Sequence, residues 1–133
     1  MDDFELTPTP DPGSPTGVYI PSDIQDCFQE LDKMLHASLV ENIKASEEGQ
    51  LLSYHFGLGM WMRNNWGLWT EGSRLKQYFD SLRVHDADSA SSLIMTSYWH
   101  YLNMRPIELP RQIVYDKIAR NELKNGPNTS NLS

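Results

Sequence analysis

An apolar stripe, Ile24, Phe28, Leu31, Leu35, Leu39 and Ile43, recurs along the chain at steps of three or four residues. Only a helix brings residues so spaced onto one face; a strand would scatter them over two. The stripe predicts a helix A of about five turns. It opens at Ser22, three residues before Gln25 in the capping-box arrangement, with Asp23 and Asp26 beside the positive end of its dipole. It closes between Ser46 and Gly49. The other face carries Asp26, Glu30, Lys33, Glu41 and Lys44, so helix A turns mostly acid toward solvent or a partner.

Downstream, residues 50–64 read as helix B, in which Leu51, Leu52, Tyr54, Phe56, Leu58, Met60, Trp61 and Met62 leave almost no polar side. A helix apolar all round is buried all round, centrally or against another chain. Gly57 and Gly59 each cost about 1 kcal/mol relative to Ala in a helix interior, which predicts close backbone approach to a neighbour. Helix C covers 73–82 with Leu75, Phe79 and Leu82 inward. Helix D starts at an N-cap of Asp88 or Ser89, buries Leu93, Ile94, Tyr98, Tyr101 and Leu102, and ends near Asn103. Pro106 and Pro110 force an extended link, with Pro110 suited to the first turn of helix E, which covers 111–123 and turns Ile113, Val114 and Ile118 inward. Pro8, Pro10, Pro12 and Pro15 exclude a helix or central strand. Residues 1–17 therefore read as a disordered Pro-rich tail, 124–133 as a second disordered tail, and 18–123 as a single helical domain. The expected fold is all-α, a compact bundle of about five helices.

Charge narrows the choice of partner. Residues 1–50 hold eleven acids against Lys33 and Lys44, whereas 51–133 hold seven acids against nine bases, for a total of -7. Nucleic-acid binding needs a Lys/Arg footprint, so nucleic acid is excluded as the expected ligand and a basic protein is favoured. The same acids also serve as a solvated face. No run approaches the roughly 18 apolar residues of a membrane span, and MDDFELTP has no apolar h-region, so neither a membrane nor a secretory route is expected. With one cysteine, Cys27, the cytoplasm is the default.

The densest group of functional residue types is Trp61, Arg63, Asn64, Trp66 and Trp69. Trp and Arg dominate interface hot spots, and large aromatic residues also build small cores. His55, Gly59 and Arg63 fall four apart, on one stripe of helix B. Arg63 then needs a carboxylate, for which Asp86 and Asp88 are the candidates. A second reading takes His55, His85-Asp86 and Asp116 together: their order resembles that of the metal ligands in helical His-Asp phosphohydrolases, where imidazole and carboxylate hold metals that activate water. His36 and His100 have no neighbouring acid motif. No Cys-His or Ser-His-Asp spacing, P-loop or Rossmann fingerprint is present.

Three stretches, HFGLGMWMRNNWGLW (55–69), SRLKQYF (73–79) and DSASSLIMTSYWHYLN (88–103), resemble an uncharacterised family of small bacterial domains. Its pattern is His-x-x-x-Gly-x-x-x-Arg-Asn-x-Trp-x-Leu-Trp followed by a Pro-Asp-Asp-Met-Ser segment and an apolar helix. His55, Gly59, Arg63, Asn64, Trp66, Leu68, Trp69, Asp88 and Ser91 match it; Ala87, Ser89 and Ala90 depart from it. The departures remove paired carboxylates from the second segment. The resemblance carries no activity with it, but small acidic members of this kind look like the immunity proteins encoded beside bacterial toxins. The expectation is a non-enzymatic, cofactor-free and metal-free cytoplasmic protein that neutralises a basic toxin domain. Asp26, Glu30, Glu41, Trp61, Arg63, Trp66 and Trp69 would meet the partner, and His55, Gly59, Asn64, Asp88 and Ser91 would hold the motif together. The alternatives are the phosphohydrolase and a homodimeric adaptor joined through helix B.

Overall fold

A computed structural model describes residues 6–70 and 72–125. In chain order these residues form α1 (Ile24–Met34), α2 (Ala37–Ala45), a 3-10 turn (Glu48–Gln50), α3 (Leu51–Tyr54), a π turn (His55–Gly59), α4 (Met60–Asn65), α5 (Arg74–Ser81), α6 (Ala87–Leu102) and α7 (Leu109–Asn125). Helical dihedrals continue from α3 through the π turn into α4, making one rod of the three. The described residues thus form six helical rods, one more than expected, with two isolated bridges and no strand. None of these helices is long and apolar enough to cross a membrane.

The extra rod arises because helix A is broken. Asp23, rather than Ser22, caps α1 by accepting the Asp26 N–H at 2.8 Å. The chain then leaves the helix at Leu35, which is extended at φ -90 and ψ 139. Thr7 donates its N–H to the Met34 carbonyl at 2.9 Å, and Leu6 bridges Leu35. That carbonyl would have served Ser38 in an unbroken helix; Ser38 instead gives its N–H to His36 Nδ1 at 3.2 Å, and His36 caps α2.

Residues 6–17, expected as a disordered tail, lie over α1 and the end of α4. Both carboxylate oxygens of Glu30 are used: Thr9 donates its N–H at 3.1 Å to one and its hydroxyl at 3.2 Å to the other. Thr16 Oγ1 donates to the Asn65 carbonyl at 2.6 Å, and Arg74 Nε donates to the Ile20 carbonyl at 2.7 Å. Residues 1–5 and 126–133, the outer parts of the two expected tails, lie outside the described residues.

Helix α6 is the hub, packed against α1, α2, the π turn, α4 and α7. Its Ile94 and Tyr98 are buried with Phe28, Leu31, Trp66 and Phe79 in one core. The Tyr98 and Tyr101 hydroxyls each donate to Asp32 at 2.8 Å, tying α6 to α1. Burial and the Asp32 bond push the Tyr98 phenol well above its ordinary value, so it stays a donor. The cap of α6 is Asp86, earlier than Asp88 or Ser89, because it is Asp86 that is extended and accepts the Ser89 N–H, at 3.0 Å. Pro110 occupies the first turn of α7, which begins two residues ahead of expectation. Of the side chains expected inward at the C-terminal end, Ile113 is buried but Tyr101, Val114 and Ile118 are exposed.

Candidate functional site: a buried arginine clamp under an exposed apolar stripe

The π turn sets the geometry of the site. At about 100° per residue, eight α-helical steps leave two side chains about 80° apart around the axis. A π turn takes in about one extra residue, which reduces the offset to about 20°. His55 and Arg63 therefore come into line on the inner face, and Leu52 and Met60 come into line with Phe56 between them on the outer face.

On the inner face Arg63 is 5% exposed. Its Nη1 donates to Ser91 Oγ at 2.8 Å and lies 3.3 Å from His55 Nε2; its Nε lies 3.4 Å from Asp88 Oδ1, an ion pair without an aligned hydrogen bond. A guanidinium only donates, so Nε2 of His55 is the acceptor and the ring proton sits on Nδ1. That nitrogen is buried without a hydrogen-bond partner among the described residues, facing Gly59. A Cβ on Gly59 would fall 2.8 Å from His55 Nδ1 and 3.3 Å from Arg63 Nη1, both side chains of its own rod, while the π turn that contains Gly57 and Gly59 packs on the neighbouring α6. Burial, and then the Arg63 charge, hold the imidazole below its ordinary pKa. Ser91 Oγ in turn donates to the Asp88 carbonyl at 3.1 Å, so its proton and a lone pair are both engaged. The cluster joins the rod to α6 and contains no nucleophile paired with a base.

On the outer face Leu52, Phe56 and Met60 are 61%, 72% and 46% exposed. Helix B is therefore not buried centrally on every side: one side enters the core through Leu51, Leu58 and Met62, and the outer face is the one that the other expected setting, against another chain, would use. Met60 links the two faces, its thioether accepting from Arg63 Nη2 at 3.8 Å. The spacing of 52, 56 and 60 was visible in the sequence, but in a segment apolar on every side nothing marks which stripe faces out.

The residues expected at a partner surface divide. Trp66 is fully buried with Trp61 edge-on to it, ring centroids 5.9 Å apart. Trp66 and Arg63 belong to the interior, and Trp61 is half-buried beside them. Trp69 is 59% exposed, its indole N–H fixed at 3.0 Å on Asn64 Oδ1. Glu30 is 2% exposed because the N-terminal segment covers it. Asp26 is half-buried and accepts from Tyr19 and Ser22; burial raises its pKa, but these hydrogen bonds and Arg74 outweigh it and the net shift is downward. Glu41 is exposed as expected.

Of the residues in the phosphohydrolase reading, Asp86 and Asp116 share Arg120, whereas His85 and His55 turn to other partners. His85 Nδ1 lies 2.9 Å from Asp80, Arg120 pairs with Asp86 at 3.5 Å and with Asp116 at 3.2 Å, and His55 belongs to the clamp. Among the described residues no three His, Cys, Asp or Glu side chains could hold one metal ion.

No curated protein and no solved structure matches the chain. A family does: its match runs over residues 20–102 and so takes in the clamp, the outer stripe and all of α6. The chain belongs to that family, described as Domain of unknown function (DUF6794).

Proposed function

We propose that this domain is a non-enzymatic binding protein of the cytoplasm that neutralises a basic protein partner, a toxin domain, in the manner of an immunity protein. The observation that carries the reading is the outer stripe of Leu52, Phe56 and Met60, on the face of the rod opposite the buried clamp, in a molecule with a net charge of -7. Exposed apolar side chains in a row on a polar surface mark interaction sites, and a rigid backbone under them lowers the entropy lost on binding. Trp69 adds a fixed indole, and exposed Glu47 and Glu48 stand at the 3-10 turn that leads into the same rod. Complementary charge would speed the encounter, and the apolar anchors would hold the complex.

The test is affinity capture from native lysate with the wild-type protein and with Phe56→Asp, identified by mass spectrometry. A stoichiometric basic protein retained by the wild type and lost by the variant, at equal thermal stability, is the expected result. A partner bound equally by both proteins, or none bound by either, would overturn the reading.

A further inference from the structure

Two clefts meet along the outward face of α6. One, of 420 Å³, separates α6 from α7; the other, of 260 Å³, separates α6 from the 3-10 turn and α3. Glu48, Ser92 and Thr96 line both, so the two form one groove. Its floor, Ser92, Thr96 and His100, rises one helical turn at a time over about 12 Å. Two of the three floor residues, Ser92 and Thr96, have short side chains, which leaves the groove open along α6 where the two clefts join. Leu52 and Tyr115, 61% and 65% exposed, stand on opposite walls as apolar contacts.

The charge of the lining selects the occupant. Glu48, Glu108 and Asp116 face a single lining cation, Arg111. Arg111 answers Glu108 at 3.2 Å, and Arg120 answers Asp116 at 3.2 Å. That leaves Glu48, where the two clefts join, with no ion pair among the described residues. The described residues also carry no strand that could accept an added one, so recognition falls to side chains rather than to a backbone ladder.

We infer that this groove docks a short amphipathic helix of the partner, about two turns long, with apolar side chains against Leu52 and Tyr115 and a Lys or Arg on Glu48. The inference rests on the binding reading above and adds to it the site and the form of the ligand.

The probes are a Leu/Lys amphipathic helical peptide and a Leu/Glu peptide with the same apolar positions, titrated into the isotope-labelled full chain and followed by amide chemical shifts. The Lys peptide is expected to move Ser92, Thr96 and Tyr115, and the Glu peptide to leave them in place. Thr96→Trp, which fills the floor, and Glu48→Lys should each weaken binding about tenfold or more, whereas Glu41→Lys on α2 should leave it unchanged. Tyr115→Ala, which removes an apolar wall at an exposed position without changing the charge, gives the same test should Thr96→Trp fail to fold. Shifts spread over the acidic surface, or equal weakening by Glu41→Lys and Glu48→Lys, would overturn the groove by showing general charge attraction. Phe56 lies outside the groove lining, which separates the two ideas. A captured partner lost by Phe56→Asp but indifferent to Thr96→Trp and Tyr115→Ala leaves the binding reading standing and removes the groove. Groove-specific peptide binding with no captured partner does the reverse.

Discussion

Gly59 and His55 carry the sharpest consequences at the scale of single residues. Replacing a helical glycine by alanine ordinarily gains about 1 kcal/mol, but here the new methyl would sit 2.8 Å from His55 Nδ1. The ring can yield only by loosening its 3.3 Å contact with Arg63. Overpacking of this kind costs about 1–3 kcal/mol, so Gly59→Ala should destabilise by about 1 kcal/mol net in urea unfolding; a stabilised variant would show the clamp to be soft. His55 also makes stability depend on pH. Its folded pKa lies below its unfolded one, through burial and then Arg63. As pH falls through the unfolded value of about 6.5, the unfolded chain takes up a proton that the folded chain declines, and stability drops. Above that value the contribution is constant. The Asp26 and Asp80 carboxyls, held below their ordinary range, release their stabilisation only at far lower pH. Urea midpoints between about pH 7.5 and 5.5 should therefore fall in the wild type and fall less in His55→Gln; parallel curves would remove His55 from the account.

Among the elements, the segment 6–19 and the π-interrupted rod show what local sequence could and could not reveal. The inward pattern of Ile24, Phe28 and Leu31 was legible because spacing at three or four residues is a local signal, and Pro110 marked the first turn of α7 by its fixed φ, another local signal. Leu35 fits that spacing equally well, yet the helix ends there because Thr7, distant in sequence, takes the Met34 carbonyl. The pairing of Thr9 with Glu30 is likewise invisible to periodicity, and it turns an apparent surface acid into an anchor. The clamp was half legible: His55, Gly59, Arg63, Asp88 and Ser91 stood out as a motif, and Arg63 called for a carboxylate. The four-residue spacing already placed His55 and Arg63 on one stripe, and the π turn, which residue types do not announce, brings them within 3.3 Å. The Glu30 anchor has a measurable worth. Glu30→Ala leaves the Thr9 N–H and hydroxyl without their carboxylate and should cost about 1–3 kcal/mol, whereas Glu41→Ala on the exposed face of α2 should stay within about 0.5 kcal/mol. Equal losses for the two would mean that the segment is not anchored there.

Over the whole molecule, the apolar stripe and the net charge pull in opposite directions on self-association. The stripe of Leu52, Phe56 and Met60 could pair with itself across a two-fold axis, which is the geometry a homodimeric adaptor would use. Two copies that each carry -7, with Glu48 lining the same cleft as Leu52, repel as they approach. At 0.1 M salt the screening length is about 10 Å, long enough for that repulsion to act across a forming contact. At 1 M it shrinks to about 3 Å and apolar contact goes almost unopposed. Light scattering should accordingly give a monomer at 0.1 M salt and a rising mass toward 1 M, with Phe56→Asp monomeric throughout. The opposite trend, a dimer at low salt that loosens as salt rises, would mean that complementary charges join the copies. The adaptor reading would then replace that of a basic partner, because the acidic surface would already be answered by the chain's own cations.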